Sequence, residues 1–156
     1  MFHEVVDDGA TGAADDSTGG DEGDNEVTAA VLLASFGTLV SEAAEEAGRS
    51  TLLDEAGLSE TTATATIDGD VAEVTVANGA AVLALTTDRE ADAIVAELRD
   101  HLLIGMATAV LDVDTIAASI DADLTGQEVQ QALEGRTAMT LEQLAEIMAV
   151  IERRKR

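Results

Sequence analysis

Thr61-Thr-Ala-Thr-Ala-Thr-Ile-Asp-Gly-Asp-Val-Ala-Glu-Val-Thr-Val76 is the stretch on which the fold class turns. Its residues alternate on both sides of Asp68-Gly69, and Thr and Val favour strands, so read locally it is a β-hairpin. An internal repeat argues instead for helices. Placing Gly69 over Gly135 sets Leu58 on Leu124, Ser59 on Thr125, Ile67 on Leu133 and Asp68 on Glu134. With a one-residue gap in the loop, Thr75 falls on Thr140, Val76 on Leu141, Ala80 on Ala145 and Val82 on Ile147. The second copy is helical on its own signals. Thr125 with Glu128, and Thr140 with Gln143, form capping boxes. Val129, Ala132 and Leu133 share one helical face, Leu141, Leu144, Ala145, Met148 and Ile151 another, and Gly135 suits a left-handed helix end. The repeat predicts helices over 59–68 and 76–85 with a loop at 71–74. The alternative is an α+β fold with a hairpin at 61–76.

The second copy, Leu124 to Met148, resembles the second half of a repressor-type helix-turn-helix domain of the Cro/C1 (XRE, lambda-repressor-like) family. The resemblance makes Thr115 to Ile120 the short helix and Thr125 to Glu134 the recognition helix. Gly135-Arg136 then begins the loop, and Thr140-Leu141-x-x-Leu144 opens the closing helix. Asp121-Ala-Asp-Leu-Thr125 is longer than the family's turn. The first copy carries the usual turn spacing in Leu52-Leu-Asp-Glu-Ala-Gly-Leu-Ser59. What the resemblance implies is DNA recognition by the outward face of 125–134, where Gln127, Gln130 and Gln131 could pair with adenine and Arg136 with a phosphate. The matching face of the first copy, with Thr61, Thr64, Ala65 and Asp68, offers no base to a phosphate.

Outward from these units, the chain divides into three. Residues 1–26 hold nine acids, no bases and many Gly, which predicts a disordered acidic tail. Residues 27–87 form the first, degenerate unit. It opens with a helix over 27–47, ended by Gly48, followed by a short one that Ser50 caps. Residues 88–156 contain the longest helix, 88 to about 111, opened by Thr87 with Glu90 as a further capping box. Ile94, Val95, Leu98, Leu102, Met106, Ala107 and Val110 form its inner stripe, which Leu103 and Ile104 widen. This helix is expected to be a spine between the two units, buried over its later half. Any apolar face left over on 88–111 would suit a homodimer interface.

Composition narrows the class. The chain has 156 residues, 32 acids against 8 bases, a formal charge of -24, and no Cys, Pro, Trp or Tyr. An aliphatic core with so few aromatics favours an all-α fold over a sandwich. Acidity with a single lysine resembles the proteins of extreme halophiles, whose self-repulsion multimolar salt screens. The whole chain resembles an uncharacterised family of small haloarchaeal proteins, a resemblance that supplies no activity. Arg153, Arg154, Lys155 and Arg156 hold half of the basic charge. They read equally as a solubilising helix end and as a phosphate-contacting tail.

Cofactors, metals and catalysis are not expected. There is no Cys or His cluster, no Gly-rich phosphate loop, and no base paired with the serines; His101 reads as a packing residue. The longest apolar-rich run, Ala29 to Val40, is far short of the roughly 20 residues of a span, and no signal peptide is visible. The expectation is a cytoplasmic, non-enzymatic DNA-binding or DNA-associated regulator. The alternative is an adaptor that binds another protein through a helix-turn-helix fold no longer reading DNA.

Overall fold

The computed structural model describes residues 2–4 and 27–155. Most of the expected acidic tail, and Arg156, lie outside the described residues. Eight α-helices follow one another, and among the described residues there is no strand. They are α1 (Ala29–Ala47), α2 (Arg49–Asp54), α3 (Glu60–Asp68), α4 (Val76–Ala84), α5 (Ala91–Ala109), α6 (Val113–Ser119), α7 (Gly126–Leu133) and α8 (Leu141–Arg154).

The ambiguous stretch is a helix and a loop. Ser59 accepts from the Thr62 N–H at its start, and Gly69 closes it at φ 79° in the left-handed region. The Thr–Ala alternation that suggests a strand has no apolar face to bury, because Thr and Ala are both small. In the helix Ala63 and Thr66 turn inward together, and the buried Thr66 hydroxyl donates to the Ala63 carbonyl. Thr28, Thr75, Asp112, Thr125 and Thr140 cap α1, α4, α6, α7 and α8 in the same way as Ser59 caps α3.

Two helix starts differ from the sequence expectation. Ser50 lies inside α2, which turns directly out of Gly48. Helix α5 begins at Ala91 rather than at residue 88. Thr87 is drawn backward, its hydroxyl donating to the Leu83 carbonyl at the end of α4 and accepting from the Arg89 N–H, and Glu90 takes the N-cap position.

The long helix α5 packs on α4 of the first half and α8 of the second, and it is also the counterpart of α1. Both are 19 residues long, and both end on a positive-φ residue, Gly48 and Val110. Leu32, Phe36, Val40 and Ala44 of α1 match Ile94, Leu98, Leu102 and Met106 of α5, and all eight are buried. Each half therefore runs long helix, short helix, helix, loop, helix. The halves meet where their equivalent residues pair. Thr75 and Thr140 form an antiparallel bridge, with the Val76 N–H donating to Met139 O at 2.7 Å and the Leu141 N–H to Val74 O at 2.8 Å. Equivalent residues exchanging equivalent hydrogen bonds place an approximate two-fold axis through this bridge.

From it α4 and α8 diverge, and each packs against both α1 and α5. Helix α8 is buried almost all round, from Leu141 through Leu144, Ala145, Ile147 and Met148 to Ile151. One continuous apolar cluster joins both halves, so the division at residue 87 marks a repeat and not a boundary between cores. Phe2 belongs to the same cluster although it heads the stretch whose charge suggests a tail. It is fully buried in a short 3-10 turn, edge-on to the Phe36 ring at 5.5 Å. A reading averaged over 26 residues hides one aromatic side chain able to bury its ring.

Small residues permit the closest approaches. A Cβ on Gly37 of α1 would lie 2.6 Å from the Gly69 backbone oxygen, which cannot give way, whereas one on Gly105 would meet the Ile151 Cγ2 methyl at 2.8 Å. Gly37→Ala is expected to destabilise the protein by about 2 kcal/mol in spite of the better helix propensity of Ala. Gly105→Ala should cost less, because it meets one side-chain methyl and not backbone. Urea unfolding midpoints of both variants in the same salt check this.

Candidate functional site

The sequence points to α7 and its flanks. Gly126 opens α7 and packs against the Asp114 side chain of α6. The capping box forms as expected: Thr125 Oγ1 accepts from the Glu128 N–H at 3.1 Å, and Glu128 Oε1 from the Thr125 N–H at 2.9 Å. Val129, Ala132 and Leu133 turn inward. Gln127 and Gln130 are thereby exposed and Gln131 is half-buried.

The long turn before α7 is held from α8. Glu146 Oε1 accepts from the Asp121 N–H at 2.6 Å and the Ala122 N–H at 3.0 Å, so one carboxylate satisfies two backbone donors of the turn. At the start of α6 the Thr115 backbone N–H, and after it the Thr115 hydroxyl, hold the Asp112 carboxyl below the usual carboxylate range.

The polar side chains of the α7 face contact one another. Glu134 occupies both neighbours: Gln130 Nε2 donates to its Oε2 at 3.2 Å, and Arg136 Nε lies 3.5 Å from its Oε1. Arg153, Arg154 and Lys155 are exposed at the end of α8, and Lys155 pairs with Glu152 at 3.2 Å. Arg136 precedes α8 and Arg153 to Lys155 close it, so the length of a 14-residue helix, about 21 Å, stands between the two sets of cations.

His101 is half-buried and its ring lies 5.2 Å from that of His3, with the Glu152 carboxylate 4.0 Å away. His3 therefore belongs with the fold, not with the solvated tail. Among the described residues no group of three or more His, Cys, Asp or Glu could hold a metal ion. No single described helix is long and apolar enough to cross a membrane.

A different surface stands out. Leu103, Ile104 and Val110 are 51%, 66% and 84% exposed, and Ala107 beside them is exposed too. The sequence reading assigned all four to the buried stripe of this helix. The helix is buried only through Ile94, Leu98, Leu102, Gly105, Met106 and Ala109, and α1 also buries the equivalents of the first five. Laying α1 over α5 exposes the signal that pattern reading missed. Leu103, Ile104, Ala107 and Val110 stand where α1 and its end have Ser41, Glu42, Glu45 and Gly48.

Residues 32–154 match a family of unknown function, DUF5791. No curated protein and no solved structure matches the chain.

The Glu146 bonds can be tested directly. Glu146→Ala should destabilise the fold by about 1–2 kcal/mol through the two donors it strands, while Glu146→Gln, which keeps an acceptor oxygen, should recover at least half of that. Thermal unfolding of the pair checks the difference.

Proposed function

The chain belongs to the family of unknown function DUF5791, and we propose that it is a non-enzymatic interaction protein of a halophilic cell, docking through the C-terminal half of α5. One observation carries this reading. On an otherwise acidic molecule, Leu103, Ile104, Ala107 and Val110 stay apolar and exposed at the positions where the first half carries Ser41, Glu42, Glu45 and Gly48. Exposed apolar side chains grouped on one helix face mark an interaction site more often than those scattered singly.

A second copy of the chain is the occupant that fits. Two α5 faces paired about a two-fold axis set these side chains against themselves with no carboxylate at the centre of the contact. The equivalent α1 face would stack Glu42 and Glu45 against their own copies. Repulsion between two chains of charge -24 is screened in concentrated salt.

In light scattering at about 2 M KCl, chosen for its short screening length, the protein should run as a dimer. Ile104→Glu should leave the helical circular dichroism unchanged and shift the population to monomer. A monomeric wild type, or a dimer indifferent to Ile104→Glu, would reject self-association through α5.

Arg153 and Arg154 favour a second reading, a DNA-associated regulator. Both are exposed, and neither pairs with a carboxylate among the described residues. The resemblance of α6 and α7 to a helix-turn-helix, with Gln127 and Gln130 outward and Gln131 half-buried, supports it. Glu134, holding Gln130 and Arg136, ranks it second. Selection from genomic DNA fragments in the same salt tests it. If this reading is right, a few sites are enriched, Gln130→Ala with Gln131→Ala blunts the sequence preference, and deletion of 153–156 weakens binding to every sequence. Absence of enrichment by the folded protein would remove it.

A further inference from the structure

The two halves differ most at one pair of equivalent positions in their long helices. In α1 the residue is Gly37, and its backbone lies directly against Gly69 at the end of α3. In α5 it is Arg99. Its Nε donates to Leu133 O at 2.9 Å and its Nη2 to Glu134 O at 3.1 Å, while Gly135, the counterpart of Gly69, lies beside its Nη1. A long side chain stands where the first half has backbone on backbone. Helix α7 packs on α6 where its counterpart α3 packs on α1. Between α5, the first turn of α4 and the loop after α7 a cavity of about 320 Å³ remains.

Its lining is mostly apolar and includes one cation. Val76, Val95, Leu98, Ala132 and Met139 line it, with Arg99 at one edge. Arg99 is one of only eight bases among 32 acids, yet it pairs with no carboxylate among the described residues. Its two acceptors are neutral carbonyls, so its positive charge is not cancelled, and its second terminal nitrogen retains donors. Arg99 as a residue is half-buried, whereas Arg153 and Arg154 are exposed.

We propose that this cavity binds a small carboxylic acid with an apolar body, its carboxylate on Arg99 and its body against Val95, Leu98 and Met139. The volume lies at the low end of the roughly 300–1,000 Å³ of ligand sites, which suits such an acid and excludes a dinucleotide. Arginine matches a carboxylate in geometry as well as in charge. Arg99 lies one helical turn before Leu103 on α5, but none of Leu103, Ile104, Ala107 and Val110 lines the cavity.

Octanoate is the probe and 1-octanol its neutral control, both titrated by calorimetry into the full-length protein at about 2 M KCl. Octanoate should bind saturably, with one site per chain, and at least roughly tenfold tighter than octanol, the difference a charge-assisted hydrogen bond supplies. Ala77→Phe, a substitution of an exposed residue at the cavity rim, should abolish binding with the circular dichroism unchanged. Arg99→Met should remove the preference for octanoate over octanol. Because Arg99 also caps α7, failure of that variant to fold would leave Ala77→Phe as the deciding comparison. Non-saturating binding, equal affinity for the two probes, or octanoate binding untouched by Ala77→Phe would each overturn the proposal.

Discussion

The structure depends on the crossing of two short extended segments, 74–76 and 139–141. Each supplies one N–H and one carbonyl to the other, and each then caps the helix that follows through Thr75 or Thr140. This pairing starts α4 and α8 from one point in different directions, so that both lie against α1 and α5 together. Helix α8 could not be apolar on nearly every side in a chain whose halves folded apart. Its burial requires the other half. The repeat is thus a single folding unit with internal symmetry, and its core is shared across the axis.

That core is made of small and aliphatic side chains, and its closeness comes from glycine and alanine in place of aromatic bulk. The two phenylalanines are the exception and touch one another. One of them, Phe2, brings the first residues of the chain onto the core beside Gly79. Outside, a charge of -24 leaves few cations to pair with so many carboxylates. Helix ends are held instead by short-range hydrogen bonds from Thr, Ser and Asp side chains to backbone N–H groups. Glu146 does the same for the turn before α7. These bonds depend on contact geometry and not on long-range charge, and so are little screened by salt.

Symmetry makes the departures from it informative. The apolar core positions are matched between α1 and α5, while other positions diverge. Ser41 and Glu42 become Leu103 and Ile104, and the buried Gly37 becomes Arg99. The first change puts an apolar face on the surface; the second puts a cation at a cavity. Each half serves as the control for the other, and on this comparison the distinctive chemistry lies in the second.

Much of the helical fold is legible in the residues. Capping boxes at Thr125 and Thr140, Gly69 and Gly135 at helix ends, and the register of the repeat are local or near-local signals, and they overrule the strand-like alternation of 61–76. Location of the candidate site was less legible. Gln127 and Gln130 of α7 do face outward, because the spacing of Val129, Ala132 and Leu133 dictates it, while Gln131 is half-buried. That Glu134 ties down Gln130 and Arg136, and that His3 stacks on His101, depend on side-chain placement. The width of the buried stripe on α5 was misjudged for a physical reason. Periodicity tells which residues could face a core, but how many do depends on how many neighbours the helix has. Leu103, Ile104 and Val110 lie beyond the arc that α4 and α8 cover. Sequence by itself determined the helices and most of their caps, because these are set within a few residues of chain, and the register of the repeat, because it is written in the matching residue types. Only the tertiary structure decided that the halves share one core across a two-fold axis, which apolar residues stay exposed, and where a cavity opens, because each of these is set by packing between elements far apart in the chain.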